Sequence, residues 1–297
     1  MLEDPSDRPR SEWFEETLYN GFGARYGIDE ILHESNNGSQ HLRLFRNEIF
    51  GHVLTLNGVI QTTERDEFVY HEMLAHTPIL AHGAARDVLI VGGGDGGLME
   101  EVLKHQSIEH VTLVEVDADV VAFSKQHLRS ICGDAFDDPR VEIVIADGAE
   151  FAMTTDRRYD VILIDSTDPI GPGEILFTEK FYAACHRCLA PGGVLVTQNG
   201  VPFMQGDELR QTMRALRTLF ADISSYTATV PTYIGGCIAF GWGSDDPGVR
   251  ATPLDVLQDR FAAAMLATNY YTPGVHLGAF ALPRYIERLV EPESIAR

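Results

Sequence analysis

No run of about 18 uninterrupted apolar residues occurs in the chain, and a helix needs roughly that length to cross a bilayer. The opening stretch, Met1 to Arg10, is polar and charged and lacks the apolar region of a signal peptide. Cytoplasmic residence, with no membrane partner, is therefore the default expectation. Basic residues are few. The 23 Lys and Arg stand against 44 Asp and Glu, a formal net charge of −21. That balance argues against nucleic acid as a partner, because its binding needs basic surface to displace phosphate counterions. A cationic small substrate is compatible with it, although acidity for solubility is the better reading of the charge alone, which matters only if carboxylates converge on one site.

Cysteine is scarce as well: Cys132, Cys185, Cys188 and Cys237. The lone C-x-x-C at Cys185 and Cys188 falls late in a predicted helix, whereas a redox pair needs a helix N-terminus to lower the thiol pKa. A second pair at zinc-ligand spacing is missing, as is H-E-x-x-H. The thiols read as reduced and structural, and no metal is expected.

The 297 residues, 44% of them hydrophobic, suffice for one large domain or one large and one small. From about Gly27 to Thr62 the pattern is short strands and turns. Gln40 to Phe45 alternates polar and apolar residues, and Asn36 to Ser39 supplies turn chemistry before it. Asn57-Gly58 between Val53–Leu56 and Val59–Ile60 is a hairpin signal. The expected boundary is a β-strand domain over 1–64 and a catalytic domain over 65–297. Glu64 to His76 then places Phe68, Met73 and Leu74 at helical spacing, with Thr63 available as N-cap. Apolar strands follow at Val88–Val91, Val111–Val114, Val141–Ile145, Val161–Ile164 and Val194–Val196, each with a helix after it. That alternation predicts an α/β fold with a parallel sheet covered on both faces. Phe240 and its neighbours predict late antiparallel edge strands.

Open parallel sheets bind ligands at the carboxyl ends of their strands. Four such ends carry distinctive residues here. After Val91 comes Gly92-Gly-Gly-Asp-Gly-Gly97, whose glycines permit a tight turn and close backbone approach. Its G-x-G-x-x-G spacing alone is shared by dehydrogenases and methyltransferases. Asp95 would repel a pyrophosphate and suits a cationic group, a solvated loop aspartate being the plainer alternative. Glu115, at the next strand tip, can accept from both ribose hydroxyls, while Asp117 reads as a helix cap. Asp147, before Gly148, can accept from the exocyclic amine of a purine, cap a helix, or do both. Asp165-Ser-Thr-Asp-Pro-Ile-Gly-Pro172 places two carboxylates, Asp165 and Asp168, in a loop stiffened by Pro and Gly. Together with Asp95 these would put three carboxylates around one cleft. Clustered like charges raise each other's pKa unless a cation neutralises them, so a cation is the natural ligand.

Glu64 to Met73, Gly92 to Gly97, Asp165 to Pro172 and Pro231-Thr-Tyr-Ile-Gly-Gly236 together resemble the spermidine synthase family, most closely its bacterial members. The resemblance runs from about Trp13 to Arg284. It implies a Rossmann-like parallel-sheet domain of the S-adenosylmethionine-methyltransferase type, preceded by a small antiparallel β-domain, in a homodimer or homotetramer. It implies decarboxylated S-adenosylmethionine as donor co-substrate and putrescine as acceptor, with no permanently bound cofactor and no metal. By position, Asp165 would be the proton acceptor, Gln40 and Glu115 would hold the sugar, and Asp147, Gly148 and Pro172 would surround the adenine. His71 and Asp95 would meet the amine of the transferred arm. Asp168, Tyr70 and Tyr233 would line the polyamine channel with Ser166 and Thr167, and Trp13 would be a further wall; packing is the competing role for the three aromatics. His52, His76 and His82 are read as structural. Ile170 to Gly173 is a candidate lid.

Competing readings are a putrescine N-methyltransferase using S-adenosylmethionine, an aminopropyltransferase for cadaverine or agmatine, an NAD-dependent dehydrogenase, and a non-catalytic polyamine-binding protein. Asp95 disfavours the carboxylate of S-adenosylmethionine and the pyrophosphate of a dinucleotide, and Asp165 argues for turnover.

Overall fold

The computed structural model describes residues 12–36, 41–167 and 171–291. The chain divides into two compact units. One runs to Glu67 and also takes in Pro231–Ile234; the other comprises the rest from Phe68.

In the first unit, β1 (Trp13–Glu15) and β2 (Arg25–Gly27) form an antiparallel pair. A four-stranded antiparallel sheet follows, made of β3 (Glu30–Asn36), β4 (His41–Asn47), β5 (Gly51–Leu56) and β6 (Val59–Thr63) in that order. The β5–β6 turn is the expected one: Asn57 and Gly58 adopt φ of 51° and 81°, the positive values that a tight two-residue hairpin requires. Phe14, Tyr26, Ile28, Phe45, Val53 and Ile60 make the core. The expected strand over Gln40–Phe45 is realised as β4, although Gln40 itself lies outside the described residues.

The second unit is a seven-stranded sheet of β7 (Asp87–Gly92), β8 (His110–Glu115), β9 (Val141–Ile145), β10 (Tyr159–Asp165), β11 (Leu189–Gln198), β12 (Asp222–Ala228) and β13 (Ile238–Ser244). Its order is β12-β13-β11-β10-β7-β8-β9. All neighbours pair in parallel except at β13, which runs antiparallel to both β11 and β12. This is the α/β architecture read from the sequence. One expectation needs correcting: the strand containing Phe240 is antiparallel but lies inside the sheet, with β12 outside it at the edge. Its seven residues are all buried, as an interior position demands.

The central strands are near-continuous Val, Leu and Ile, the composition of a sheet covered on both faces. Leu89, Val91, Ile162, Ile164 and Leu195 are buried together with Phe181, Tyr182, Leu209 and Met213 from the helices Glu179–Cys188 and Pro202–Arg217. Burial of each such side chain is worth about 1.5–3 kcal/mol against exposure. Cys185 and Cys188 belong to this core as free thiols, and burial raises the pKa of both.

The helix before β7 also differs from its expected form. It spans Glu67–His82, so Thr63 is not its N-cap; Thr63 ends β6, and its hydroxyl donates 2.6 Å to Asp66 Oδ1. Every residue from Val69 to Ala81 is buried, Pro78 included. A helix enclosed on all sides shows no clean apolar stripe, and this is why spacing alone located its start three residues early.

Candidate active site

The topological switch falls between β7 and β10, since the chain proceeds from β7 toward β9 on one side and from β10 toward β12 on the other. Gly92 is in register with Asp165 across this junction. Asp165 therefore ends β10 beside the glycine loop, and the loop's own amide, Gly93 N–H, donates 2.9 Å to the Asp165 carbonyl. A Cβ on Gly93 would come within 2.9 Å of the Asp165 Oδ2. The glycines are what allow the two strand ends to close on each other.

Tyr70 and His71 approach from the buried helix Glu67–His82. Tyr70 Oη donates 2.7 Å to Asp165 Oδ1. His71 Nε2 lies 3.7 Å from Asp95 Oδ2, while Asp95 Oδ1 accepts from Gly97 N–H at 2.9 Å. The imidazole is pressed against the start of helix Gly97–Leu103, where a Cβ on Gly97 would meet His71 Cε1 at 2.4 Å. One ligand atom each from His71, Asp95 and Asp165 falls within 4.8 Å of the others, a spacing that accepts one small cation, whether an ammonium group or a metal ion.

Enclosure by protein, helped by the Asp95 charge and, less, by the Glu115 charge, pushes the Asp165 carboxyl up to about 6, against His71 and the Tyr70 hydroxyl, which lower it. Burial likewise raises Glu115, offset in part by hydrogen bonds from the backbone of Asp117, Val116 and Gly94. Glu115 ends β8 with Oε1 accepting 3.0 Å from Asp117 N–H, and its Oε2 would stand 2.8 Å from a Cβ on Gly94. Asp117 caps the next helix, as expected. Asp147 also caps, its Oδ1 accepting from Ala149 and Glu150 N–H at 2.8 and 2.9 Å, and its second oxygen makes no hydrogen bond among the described residues. Gly148 is packed so closely that a Cβ would meet Val91 Cγ1 at 2.4 Å.

Of the residues singled out by sequence, Tyr70, His71, Asp95, Glu115 and Asp165 thus gather at neighbouring strand ends of one unit, with Asp147 and Gly148 at the next strand end. Ser166 and Thr167 continue from β10, the Ser166 hydroxyl buried without a hydrogen-bond partner among the described residues. Gln40 and Asp168 lie outside the described residues, as does the side chain of Pro172; the candidate lid at Ile170–Gly173 begins outside them too. Tyr233 and Trp13 belong to the first unit. Tyr233 Oη donates 2.7 Å to the Gln61 carbonyl, and its segment is tied down by Asp66, whose Oδ2 accepts from Thr232 N–H and Oγ1, each at 2.8 Å. Trp13 is 48% exposed beneath the Arg25 guanidinium.

Sequence reasoning missed Gln198. It ends β11, and its Nε2 donates 2.9 Å to the Ser166 carbonyl while Oε1 accepts 2.9 Å from Gly200 N–H. The strand-end rule that flagged the carboxylates would have flagged this amide as well. Exposed Val116 and Ile145, beside Glu115 and ahead of Asp147, were also passed over; their exposures of 59% and 49% mark apolar surface next to polar strand tips.

The chain is similar to known proteins along most of its length. A family model described as the spermine/spermidine synthase domain matches residues 67–253, and one described as the spermidine synthase tetramerisation domain matches residues 12–64. The polyamine aminopropyltransferase 1 of Pseudomonas aeruginosa is 58% identical over 92% of this chain and 96% of that protein. The polyamine aminopropyltransferase of Pseudomonas syringae pv. tomato is 54% identical over 95% of this chain and 98% of that one. A crystal structure of spermidine synthase in complex with the transition state analogue AdoDATO superposes with a TM-score of 0.90 at 35% identity, covering 97% of this chain and 98% of the other.

Proposed function

The chain belongs to the spermine/spermidine synthase family and is an aminopropyltransferase; from that premise we propose that it transfers the aminopropyl group of decarboxylated S-adenosylmethionine to putrescine. The products would be spermidine and methylthioadenosine. The observation that carries this reading is the convergence of His71, Asp95 and Asp165 on one cation-sized space.

The donor is already activated, since its sulfonium makes the attached propyl carbon electrophilic. The acceptor is the obstacle. A primary alkylammonium resembles Lys, with a pKa of about 10, and has no lone pair while protonated. Asp165 takes that proton as general base, with Tyr70 on Oδ1 fixing the carboxylate's orientation and leaving Oδ2 toward the glycine loop. The freed nitrogen attacks the propyl carbon, the carbon–sulfur bond breaks, and its electron pair neutralises the sulfur. Holding nitrogen and carbon in line supplies much of the remaining rate. Asp95 and His71 receive the amine of the travelling arm. Glu115 accepts from the ribose hydroxyls, the open oxygen of Asp147 accepts from the adenine amine, and Val116 and Ile145 offer apolar surface to the purine. Gly148 completes the nucleoside side of the site, while Tyr70, Ser166 and Thr167 serve the diamine. Neither oxygen polarisation nor water activation enters the reaction, so no metal is given a role. The match of residues 12–64 to a tetramerisation domain supports a homodimer or homotetramer.

The test is a mass-spectrometric assay offering both the decarboxylated and the carboxylated donor with putrescine, cadaverine, agmatine and spermidine. Spermidine and methylthioadenosine from the first donor and putrescine are expected; methylputrescine from the second would replace this reading with the methyltransferase. Asp95→Asn should raise the KM for the decarboxylated donor by about ten-fold or more, the worth of one charge-assisted contact. The same change should narrow the preference over S-adenosylmethionine, whose carboxylate no longer meets a like charge.

Acid sensitivity follows from Asp165. Its carboxylate is the working form, and its pKa lies at about 6, so log(kcat/KM) should fall with unit slope as pH drops below about 6 and level off above. An acid limb near the ordinary Asp value would remove enclosure of this group from the mechanism.

A further inference from the structure

The helix carrying Tyr70 and His71 holds a third polar side chain, Glu72, which the reaction does not use. It is 1% exposed. Its carboxylate accepts three backbone N–H groups: Oε1 from Asn269 at 2.7 Å, and Oε2 from Tyr270 at 2.9 Å and Tyr271 at 2.7 Å. The donors lie in the irregular stretch between helices Leu254–Ala264 and Pro273–Ala279. No basic side chain forms an ion pair with Glu72 among the described residues. A buried carboxylate without a countercharge is costly, and three aligned, charge-assisted hydrogen bonds are what offset that cost.

An apolar residue of similar size would avoid the cost, so the fixed direction of these bonds is the gain to account for. Helix Glu67–His82 is buried on every side, and apolar contacts are non-directional; packing alone leaves its rotation about its own axis loosely set. Rotation matters at Tyr70. A tyrosine hydroxyl stands about 9 Å from a helix axis, so a turn of about 10° displaces it by about 1.5 Å, given the helix radius. That displacement would break the 2.7 Å bond to Asp165. Glu72 is two residues on, about 200° around the helix, and grips from the far side. The clamped stretch touches the helix again one turn later, where the Tyr271 ring packs edge-on against His76 at 5.5 Å.

We propose that Glu72 is a positioning residue for the transfer reaction: by gripping the backbone of Asn269–Tyr271 it sets the rotation of the helix and so keeps the Tyr70 hydroxyl on Asp165. This rests on the role of Asp165 as base. The groups facing Asp165 are Tyr70 and His71 from this helix, Asp95 from the glycine loop and Glu115 from β8. Of these, the Tyr70 hydrogen bond acts to lower its pKa, so loosening Tyr70 moves the acid limb upward.

Glu72→Gln keeps the shape but turns an amide NH2 toward one of the three donors. In the full-length variant kcat should fall about 10- to 100-fold, with the acid limb of kcat/KM displaced to higher pH, in keeping with the range for a misplaced catalytic group. In a Tyr70→Phe background the same change should cost less than about three-fold, because its route to Asp165 is gone. Should Glu72→Gln fail to fold, Asn269→Pro removes one donor from the exposed side and should show the same displaced limb. An unchanged pH profile in an active, folded variant, or an undiminished loss in the Tyr70→Phe background, overturns the role of Glu72. An inactive wild-type protein would instead sink the reaction itself.

Discussion

Asp165→Asn should lower kcat by about 10²–10⁴-fold, the range of a positioned general base, while the donor still binds within about ten-fold of wild type. The substitution is close to isosteric. Asn Oδ1 still accepts from Tyr70, so the 2.7 Å contact that orients the side chain survives. What disappears is the capacity to take a proton from an ammonium group. Donor binding draws on other residues: Glu115 and Asp147 at their own strand ends for the nucleoside, and Asp95 with His71 for the amine. Titrating the decarboxylated donor calorimetrically against the variant, alongside single-turnover measurements, separates the two effects. Turnover at the wild-type rate would take the proton-accepting role away from Asp165. Restoration of rate at high pH, where the acceptor arrives as a free amine, is the corroborating result, since a neutral nucleophile no longer needs a base.

The sheet and its carboxylates were legible because both follow from short-range rules. Strands of Val, Leu and Ile alternating with helices leave few architectures open, and a parallel sheet presents its strand ends on one side. Asp95, Glu115, Asp147 and Asp165 could therefore be placed together before any distance was known. The relations that stayed hidden cross long sequence separations. Nothing near Tyr70 says that its hydroxyl will bond a carboxylate 95 positions away, nor does Glu72 advertise three amides nearly 200 positions on. A glutamate within a helical segment reads as solvent-facing by default, and the helix Glu67–His82 violates that default because it has no solvent face. The same enclosure hid where the helix begins. Tyr233 is a different case: its sequence lies between β12 and β13, yet its segment groups with the first unit through Asp66 and Gln61. Chain order alone would have filed it with the second.

Gly92→Ala should destabilise the protein by about 2–5 kcal/mol, the sum of a left-handed backbone cost and of overpacking, and should reduce turnover in whatever fraction stays folded. Gly92 has φ of +82°, a region that a Cβ disfavours. The crowding is the larger part. A Cβ there would stand 2.1 Å from the Asp165 carbonyl oxygen and 2.9 Å from its carbon, both backbone atoms. A long side chain could swing aside, but here the obstacle is the final peptide of β10, held by its pairing to β7. Relief therefore requires Asp165 itself to move, together with the Gly93 N–H bond of 2.9 Å to that same carbonyl. Chemical denaturation measures the first effect, and kcat per folded molecule measures the second. Gly192→Ala is the matched control. Its φ of +79° carries a similar backbone cost, but its added Cβ meets nothing within 4 Å, so it should destabilise by only about 1–2 kcal/mol and leave turnover intact. Equal losses in the two variants would mean that backbone strain alone is at work, and that close approach of the glycine loop to Asp165 is not what holds the base in place.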